Sequence, residues 1–398
     1  MPWKETCVLD ERMRFVVEYR QGQWSMADLC RVYGISRKTG YKLIYRYRDD
    51  GPVGLLDRSR APRRQARAVS VEREEGIVRA RTRHPTWGPR KLRAWLRDRQ
   101  PREEWPAAST IGAILTRHGL TVPRRHRRHT PHYSEPLVGC TAPNDVWCAD
   151  FKGWFRTGDG RRCDPFTLTD AASRLLLRCQ VVPHPAYEWV QPIVEAAFRE
   201  YGLPRTIRTD NGPPFASVGL GGLSRLAIEW IKWGIIPERI APAHPEQNGR
   251  HERFHRTLAA DTAAPPQTNA RAQQRAFDRF RREYNEERPH EALGQKTPAA
   301  IHHPSPRLCP PRMPAIEYPA EMAVRRVGRR GSIRWRGDWV SLSRVLIGEW
   351  VGLSQRDDRY WDIYFGPVLL VLWDAQQHRR VPPPPGGTRN PTKPEERI

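Results

Sequence analysis

The sequence predicts a multidomain protein with an all-α N-terminal part, a central α/β core built on a mixed sheet, and a small C-terminal β-barrel. Three observations support this prediction. Apolar residues recur at helical spacing up to about residue 120, and short apolar strands alternate with helices from about residue 143. After residue 320, short segments of alternating polarity are separated by glycine turns.

The charge of the chain points to a polyanionic partner. Lysine and arginine number 68 against 44 aspartate and glutamate, which gives a formal net charge of +24. No segment approaches the ~18 apolar residues of a membrane span, and the N-terminal residues lack the apolar core of a signal peptide. We therefore expect a cytoplasmic protein without a membrane partner. The seven cysteines have no regular spacing and form no C-x-x-C pair, so neither a disulfide framework nor a zinc ribbon is predicted.

Shifts in composition predict eight segments along the chain. They are a helix-turn-helix domain (1–56), a linker (57–69), a second helical, helix-turn-helix-like domain (70–122), a basic linker (123–140), the α/β core (141–303), a Pro-rich connector (304–319), the β-barrel (320–376) and a disordered tail (377–398).

The first segment reads as three helices with a tight turn before the third. Ser25 and Ser36 are predicted N-caps, and Gly34 ends the second helix. A short helix, a glycine turn and a basic second helix form the helix-turn-helix pattern, whose second helix enters the major groove of DNA. The predicted DNA contacts at the start of this helix are Arg37, Lys38, Thr39 and Lys42.

The segment 70–122 repeats a helical pattern. A turn at 87–89 separates its first two helices, and Ser109 is the predicted N-cap of its third helix. The basic tract that follows is predicted to be a flexible link that binds phosphates rather than bases. Its predicted phosphate contacts are Arg124, Arg125, Arg127 and Arg128.

The core segment shows the element order of a ribonuclease-H-like fold. Strand-like residues at 147–155, 166–169 and 175–182 precede a helix that ends at Gly202. A strand ending at Asp210, a helix over 223–233, a strand near 235–236 and a helix opening at 248–249 complete the order. Three strands, helix, strand, helix, strand, helix is the arrangement expected of that core.

Two aspartates are the first candidate catalytic residues, because each lies at or beside a predicted strand. Asp150 lies in the first strand of the core, and Asp210 ends a later strand just before Asn211-Gly212. An Asn-Gly pair permits a sharp turn that keeps the carboxylate at the carboxyl end of the strand, where α/β sites collect. Converging carboxylates can bind divalent ions against a phosphodiester.

The third acid has two candidates, separated from Asp210 by 35 residues for Glu246 and by 41 for Glu252. Helix geometry favours Glu252. A helix capped by Asn248 places Asn248, Glu252 and Arg256 on one face, with Arg256 beside the acid to bind phosphate. Glu246 precedes that helix in a proline-containing loop, so its position is less rigid.

Three segments, 147–152, 208–212 and 244–258, resemble the integrase-type catalytic core of bacterial insertion-sequence transposases, which are related to retroviral integrases. Residues 284–290 resemble the region just after that core. The resemblance covers roughly residues 140–300 closely and the helix-turn-helix region more loosely. It implies that Glu252 is the catalytic glutamate. The chain departs from the family in the longer gap after Asp210, and it does not match the zinc-binding N-terminal domain of retroviral integrases.

The resemblance implies a DDE-type transposase or integrase in which Asp150, Asp210 and Glu252 bind two Mg²⁺, with Mn²⁺ as a substitute. The expected reaction is hydrolysis at the ends of a mobile element and transfer of the freed 3′-hydroxyl into target DNA. The expected partners are terminal inverted repeats, target DNA and further copies of the chain that pair two ends, near the bacterial nucleoid. Two alternatives stay open: a non-catalytic DNA-binding regulator derived from a transposase, and a metal-dependent nuclease that cuts without joining.

Overall fold

The structure is a computed structural model that describes residues 7–58, 69–121, 140–217, 220–240 and 249–382. The chain divides into two compact units, residues 1–69 and 70–398. No helix in these ranges is long and apolar enough to cross a membrane.

Among its described residues, the first unit has three α-helices around a small apolar core. They are α1 (Val8–Arg20), α2 (Met26–Val32) and α3 (Arg37–Asp50). The predicted caps are confirmed, because Ser25 Oγ accepts a hydrogen bond from the Asp28 amide and Ser36 Oγ from the Thr39 amide, both at 3.2 Å. A Cβ on Gly40 would lie 2.6 Å from Cys30 Sγ, so this glycine lets α3 approach α2 closely.

The second unit begins with α4 (Val71–Arg83), α5 (Pro89–Arg99) and α6 (Ala108–Arg117), which pack around the fully buried Trp87. The prediction that Ser109 caps α6 is wrong. The N-cap is Ala107, which makes no side-chain cap bond, and Ser109 lies inside the first turn. Alanine has the highest helix propensity, so the helix extends N-terminally past the serine.

The predicted α/β core is observed as a mixed sheet. Its strands are β1 (Val146–Phe151), β2 (Phe155–Arg156), β3 (Arg162–Asp170), β4 (Leu176–Val182), β5 (Thr206–Thr209) and β6 (Ile236–Arg239). Strand β3 pairs antiparallel with β1, β2 and β4, whereas β1, β5 and β6 run parallel. The first predicted strand, 147–155, is interrupted after Phe151, and the two-residue β2 follows the break.

Helices cover both faces of this sheet. The first face packs against α7 (Tyr187–Tyr201) and α8 (Arg225–Lys232), whose Val194 and Trp230 share one core with Trp147. The second face packs against α9 (Gly249–Thr262) and α10 (Ala270–Arg282) through a cluster that includes Leu258 and Phe277. Gly202 has a φ of +78° and ends α7, as the sequence predicts.

The helices α4–α6 contact the core beyond α10. His84 Nδ1 lies 2.7 Å from Glu283 Oε1, and Glu287 forms ion pairs of 3.2 Å with both Arg83 and Arg99. Residues 70–121 therefore belong to the same compact unit as the core, although the sequence sets them apart as a domain of their own.

The C-terminal part contains seven strands where the sequence predicts about five. They are β7 (Ala323–Arg326), β8 (Ser332–Trp335), β9 (Asp338–Ser341), β10 (Trp350–Gln355), β11 (Tyr360–Phe365), β12 (Val368–Asp374) and β13 (Arg379–Val381). They form an antiparallel sheet of order β13-β12-β11-β10-β7 and a separate β8-β9 hairpin. The sheet and the hairpin share an apolar core, but no strand pairing among the residues described closes them into a barrel.

The same apolar core includes side chains of α8. Ile228 and Ile231 pack with Val351 and Phe365, and Lys232 Nζ lies 2.9 Å from Glu349 Oε1. The segment 304–319, which the sequence presents as a connector, is also attached to its surroundings. Arg307 donates hydrogen bonds to backbone carbonyls that precede the parallel strands β5 and β6, among them Pro204 O at 2.7 Å.

Candidate active site

Asp150 and Asp210 lie next to each other at the carboxyl ends of two parallel strands. Ala149 of β1 and Thr209 of β5 are the last residues paired between these two strands, and each aspartate is the next residue along its chain segment. The turn after Asp210 keeps this arrangement compact. The Gly212 amide donates to Asp210 Oδ1 at 3.1 Å, and Asn211 Nδ2 donates to Ile240 O at 2.8 Å. The Asn-Gly pair thus anchors the carboxylate at the end of the strand.

The two aspartates influence each other electrostatically. The pKa of Asp210 is raised, first by burial and then by the negative charge of Asp150, while the hydrogen bond from Gly212 opposes the rise. Asp150 is buried, and its Oδ1 accepts a hydrogen bond from the Phe151 amide at 2.7 Å. Two partly desolvated carboxylates that repel each other form a site that a divalent cation would neutralise.

Helix α9 lies beside this pair of strands and is anchored by apolar residues. Phe254 and Leu258 are buried against the second face of the sheet, as the helical-face argument predicts. Glu252 and Arg256 are exposed on the other side of the helix, also in agreement with that argument. Asn248 and the alternative acid Glu246 lie outside the residues that the structure describes.

Two histidines of α9 lie close to Asp150. One ligand atom from each of Asp150, His251 and His255 lies within 4.8 Å of the others. In the described part of the chain, this group includes neither Glu252 nor Asp210. Strand register places Asp150 and Asp210 close enough to repel each other, and Glu252 follows His251 on the exposed side of the helix.

The two histidines are uncharged at neutral pH. Burial lowers the pKa of His251 to about 4, and burial together with the charges of His251 and Lys152 lowers the pKa of His255 to about 3. Sequence reasoning missed both residues. Their i, i+4 spacing on a predicted helix is the signal that could have indicated them, because it places two imidazoles on one face.

A small cavity beside Asp210 is lined by two basic residues that were not among the predicted site residues. Arg174 and Arg208 line it together with His251 and Tyr284. Arg208 pairs with Glu238 at 2.5 Å and its side chain is mostly buried. Guanidinium groups at the rim of a carboxylate pair are suited to contact phosphate oxygens.

The first unit presents the predicted DNA-contacting residues on α3. Arg37, Lys38, Thr39 and Lys42 are all exposed, and the Thr39 amide is bonded to the cap. Two tyrosines on the same helix were not predicted: Tyr41 and Tyr45 are exposed, and their rings stack at 6.3 Å. The basic tract with Arg124, Arg125, Arg127 and Arg128 lies outside the described residues.

Comparison with known families agrees with this architecture. Two models described as integrase core domain match residues 141–245 and 233–298. A helix-turn-helix domain model matches residues 11–63, and a homeodomain-like domain model matches residues 39–115. The two integrase matches span the strands that carry Asp150 and Asp210 and the helix that carries Glu252.

Individual relatives come from bacterial insertion elements. The chain is 29% identical over 221 residues to the insertion element IS476 uncharacterized 39.2 kDa protein of Xanthomonas euvesicatoria. It is 30% identical over 184 residues to the insertion element IS407 uncharacterized 31.7 kDa protein of Burkholderia multivorans. These alignments cover 54% and 46% of this chain and 60% and 64% of the relatives. The transposase InsD for insertion element IS2D of Escherichia coli is 28% identical over 232 residues, covering 54% of this chain and 72% of that protein.

A solved structure of the HTLV-2 integrase catalytic core domain in complex with magnesium is similar at 18% identity and a TM-score of 0.30, over 41% of this chain and 98% of that chain. The fold and the matched models show what kind of protein this is. In sequence order, the chain has a helix-turn-helix domain followed by an integrase core domain. Over about half of its length the chain is similar to proteins of bacterial insertion elements, one of which is a transposase, and it spans less than two thirds of the IS476 and IS407 relatives.

Proposed function

We propose that this protein is a transposase that hydrolyses a phosphodiester at each end of a mobile element and joins the freed 3′-hydroxyl to target DNA. The observation that carries the proposal is the adjacency of Asp150 and Asp210 at the carboxyl ends of parallel strands β1 and β5, inside a matched integrase core. Glu252 is the proposed third acid. It lies in the first turn of α9, the helix that also brings two side chains to Asp150.

The donor set of this site fits magnesium. Asp150 and Asp210 offer neighbouring carboxylate oxygens, which are the ligands that Mg²⁺ prefers, and their mutual repulsion favours cation binding. We propose that these two residues with Glu252 bind two Mg²⁺, with Mn²⁺ as a substitute. The ions would supply an acidified nucleophile and stabilise the leaving oxygen.

The remaining residues of the chain bind and orient the DNA in this proposal. Arg256 and Asn248 contact phosphate near the site, and Arg174 and Arg208 line the adjacent cavity. The α3 residues Arg37, Lys38, Thr39 and Lys42 recognise the terminal inverted repeats, and Arg124, Arg125, Arg127 and Arg128 follow the backbone. Because two ends must be cut and joined together, the proposal includes a homo-oligomer that acts at the bacterial nucleoid.

Two finer points about the architecture belong to the same proposal. We keep the division of the chain into eight segments predicted from the sequence, except that β13 (Arg379–Val381) is an ordered strand within the segment 377–398 predicted as a disordered tail. We also keep a closed small barrel for residues 320–376, which is supported by the apolar core that the five-stranded sheet and the β8-β9 hairpin share.

The test is an assay of purified full-length protein with Mg²⁺ and labelled candidate end DNA, scored for nicked and for joined products. Asp150→Asn, Asp210→Asn and Glu252→Gln should each abolish both products while end binding is retained. Glu188→Gln is a matched control, because Glu188 is an exposed glutamate in the first turn of α7, as Glu252 is in α9. This control should retain activity.

The same assay separates the alternatives. Nicking without joined product would favour a metal-dependent nuclease, and end binding without nicking would favour a DNA-binding regulator. An active Glu252→Gln protein, together with an inactive Glu246→Gln protein, would transfer the role of third acid to Glu246.

A further inference from the structure

Asp150, His251 and His255 form a compact group of mixed oxygen and nitrogen donors. One ligand atom from each residue lies within 4.8 Å of the others. Three donors bound tetrahedrally at about 2.1 Å from one ion lie about 3.4 Å apart, so shifts of less than about an ångström in each donor atom would let all three share an ion. The His251 and His255 rings are 5.4 Å apart at 70°, so they approach from different directions.

Hydrogen bonding through Thr167 determines which nitrogen of His255 can accept a metal. The Thr167 hydroxyl donates to the Asp150 carbonyl oxygen at 3.1 Å, and a carbonyl oxygen can only accept. The hydroxyl has one proton, so in its 2.9 Å contact with His255 Nε2 it must accept, and Nε2 carries the hydrogen. The lone pair of the neutral ring is therefore on Nδ1. This is the outer contact that orients a metal-ligating histidine in many proteins.

His251 supplies the second indication of a ligand. Its side chain is almost fully buried, and its Nε2 has no hydrogen-bond partner. An unpaired buried ring nitrogen costs free energy unless something occupies it. A cation held between Asp150 and the two rings would pair this atom.

We propose that Asp150, His251 and His255 form a binding site for a borderline transition-metal ion of the Zn²⁺ or Co²⁺ class. Two neutral imidazoles and one carboxylate are a donor set that such ions prefer, whereas Mg²⁺ prefers oxygen donors alone. Two histidines at i, i+4 on a helix are also the spacing by which one helical face can present both rings to zinc. The inference concerns ion binding, with the remaining coordination position open to water.

One consequence rests on the proposed function. Asp150 is shared between this site and the proposed Mg²⁺ site, so a transition ion held by the histidines would compete with Mg²⁺. Millimolar Mg²⁺ should therefore weaken the apparent affinity for the transition ion.

The experiment is a titration of metal-stripped, full-length protein with Co²⁺, followed by the visible absorption of the bound ion. We expect a band that saturates at one ion per chain and depends on the histidines. His255→Phe and His251→Phe should each weaken the affinity at least tenfold. Thr167→Val, which removes only the hydroxyl that orients His255, should weaken it about 10- to 100-fold.

His378→Phe is the control for metal binding at the surface. His378 is exposed and lies 2.7 Å from Asp338, so this pair represents a surface site at which Co²⁺ could bind weakly. If His255→Phe and Thr167→Val both bind Co²⁺ like the wild type, the inference is overturned. Should a histidine variant fail to fold, Thr167→Val and Asp150→Asn decide the question. DNA cleavage without a histidine-dependent band defeats this inference alone, whereas the band without cleavage defeats only the proposed function.

Discussion

Burial and then the negative charge of Asp150 raise the pKa of Asp210, because the two carboxylates lie at the ends of neighbouring parallel strands and are partly removed from water. Without a cation, the fold therefore contains a repulsion that the unfolded chain lacks. Function and stability place opposite demands on this pair, since the repulsion that favours metal binding also destabilises the metal-free protein.

The first prediction follows from that repulsion. An acid whose folded pKa lies above its unfolded value loses stability as the pH rises through the folded value, because the folded state must then release a proton that it holds more tightly. At neutral pH in EDTA, Asp210→Asn should thus raise the free energy of unfolding, by on the order of 1 kcal/mol or less because the group is partly exposed to solvent. Thermal unfolding measures this change. Mg²⁺ should stabilise the wild type more than the variant, and a destabilised variant in EDTA would contradict the argument.

The second prediction concerns His290, whose pKa is lowered to about 3 by burial and by the nearby charges of Lys91 and Arg288. A histidine with a depressed folded pKa stabilises the neutral fold above its unfolded pKa near 6.5, and this contribution is lost as the pH falls. Between pH 6.5 and about 4, each such histidine makes the free energy of unfolding fall by about 1.4 kcal/mol for every unit by which the pH is lowered. In His290→Leu one proton fewer is taken up on unfolding, so the free energy of unfolding should depend less steeply on pH by about 1.4 kcal/mol per pH unit. His184→Leu, at an exposed histidine, should leave the slope unchanged.

The third prediction compares two contacts of the helices α4–α6. Trp87 is fully buried and stacks on His84 with ring centroids 3.8 Å apart, so Trp87→Ala should cost about 3–5 kcal/mol of stability. Glu287 pairs with two arginines whose side chains are about half exposed, so Glu287→Ala should cost about 1 kcal/mol or less. Denaturant unfolding of the two variants measures the difference. Equal losses would mean that the ion pairs hold these helices on the core.

The fourth prediction tests α3 as the helix that binds DNA. Arg37→Ala should weaken binding to end DNA and reduce the slope of log affinity against log salt by about 0.9, as expected for one lost phosphate contact. Arg20→Ala is the matched control, because Arg20 is an exposed arginine at the end of α1 in the same unit. A salt titration of both variants decides the matter. Equal effects at the two positions would contradict a specific role for α3.

Local signals predicted much of the secondary structure. Ser25 and Ser36 were recognisable caps because a serine before an apolar helical period satisfies an amide of the first turn whatever surrounds it. Ser109 looked the same and was not a cap, because the helix begins further back at Ala108. Gly202 ended α7 as predicted, since few residues other than glycine adopt a positive φ readily.

Contacts between distant segments could not be predicted in this way. Strand β7 pairs with β10 and leaves out the β8-β9 hairpin that lies between them in the chain, and alternating polarity does not determine this choice of partner. The packing of α8 against the C-terminal sheet was also not predictable. Its apolar residues cover more than one face, and the sequence does not say which segment covers the second.

The sequence by itself determined the order of the elements, the basic charge, and the two aspartates at strand ends, because each depends on residue types and short spacings. Only the tertiary structure decided which side chains of α9 reach Asp150. The rotation of that helix is set by Phe254 and Leu258, which must be buried against the sheet, and this rotation turns His251 and His255 towards the aspartate while Glu252 faces solvent. Burial of apolar surface on a partner far away in the chain fixes that angle, and no local pattern contains it.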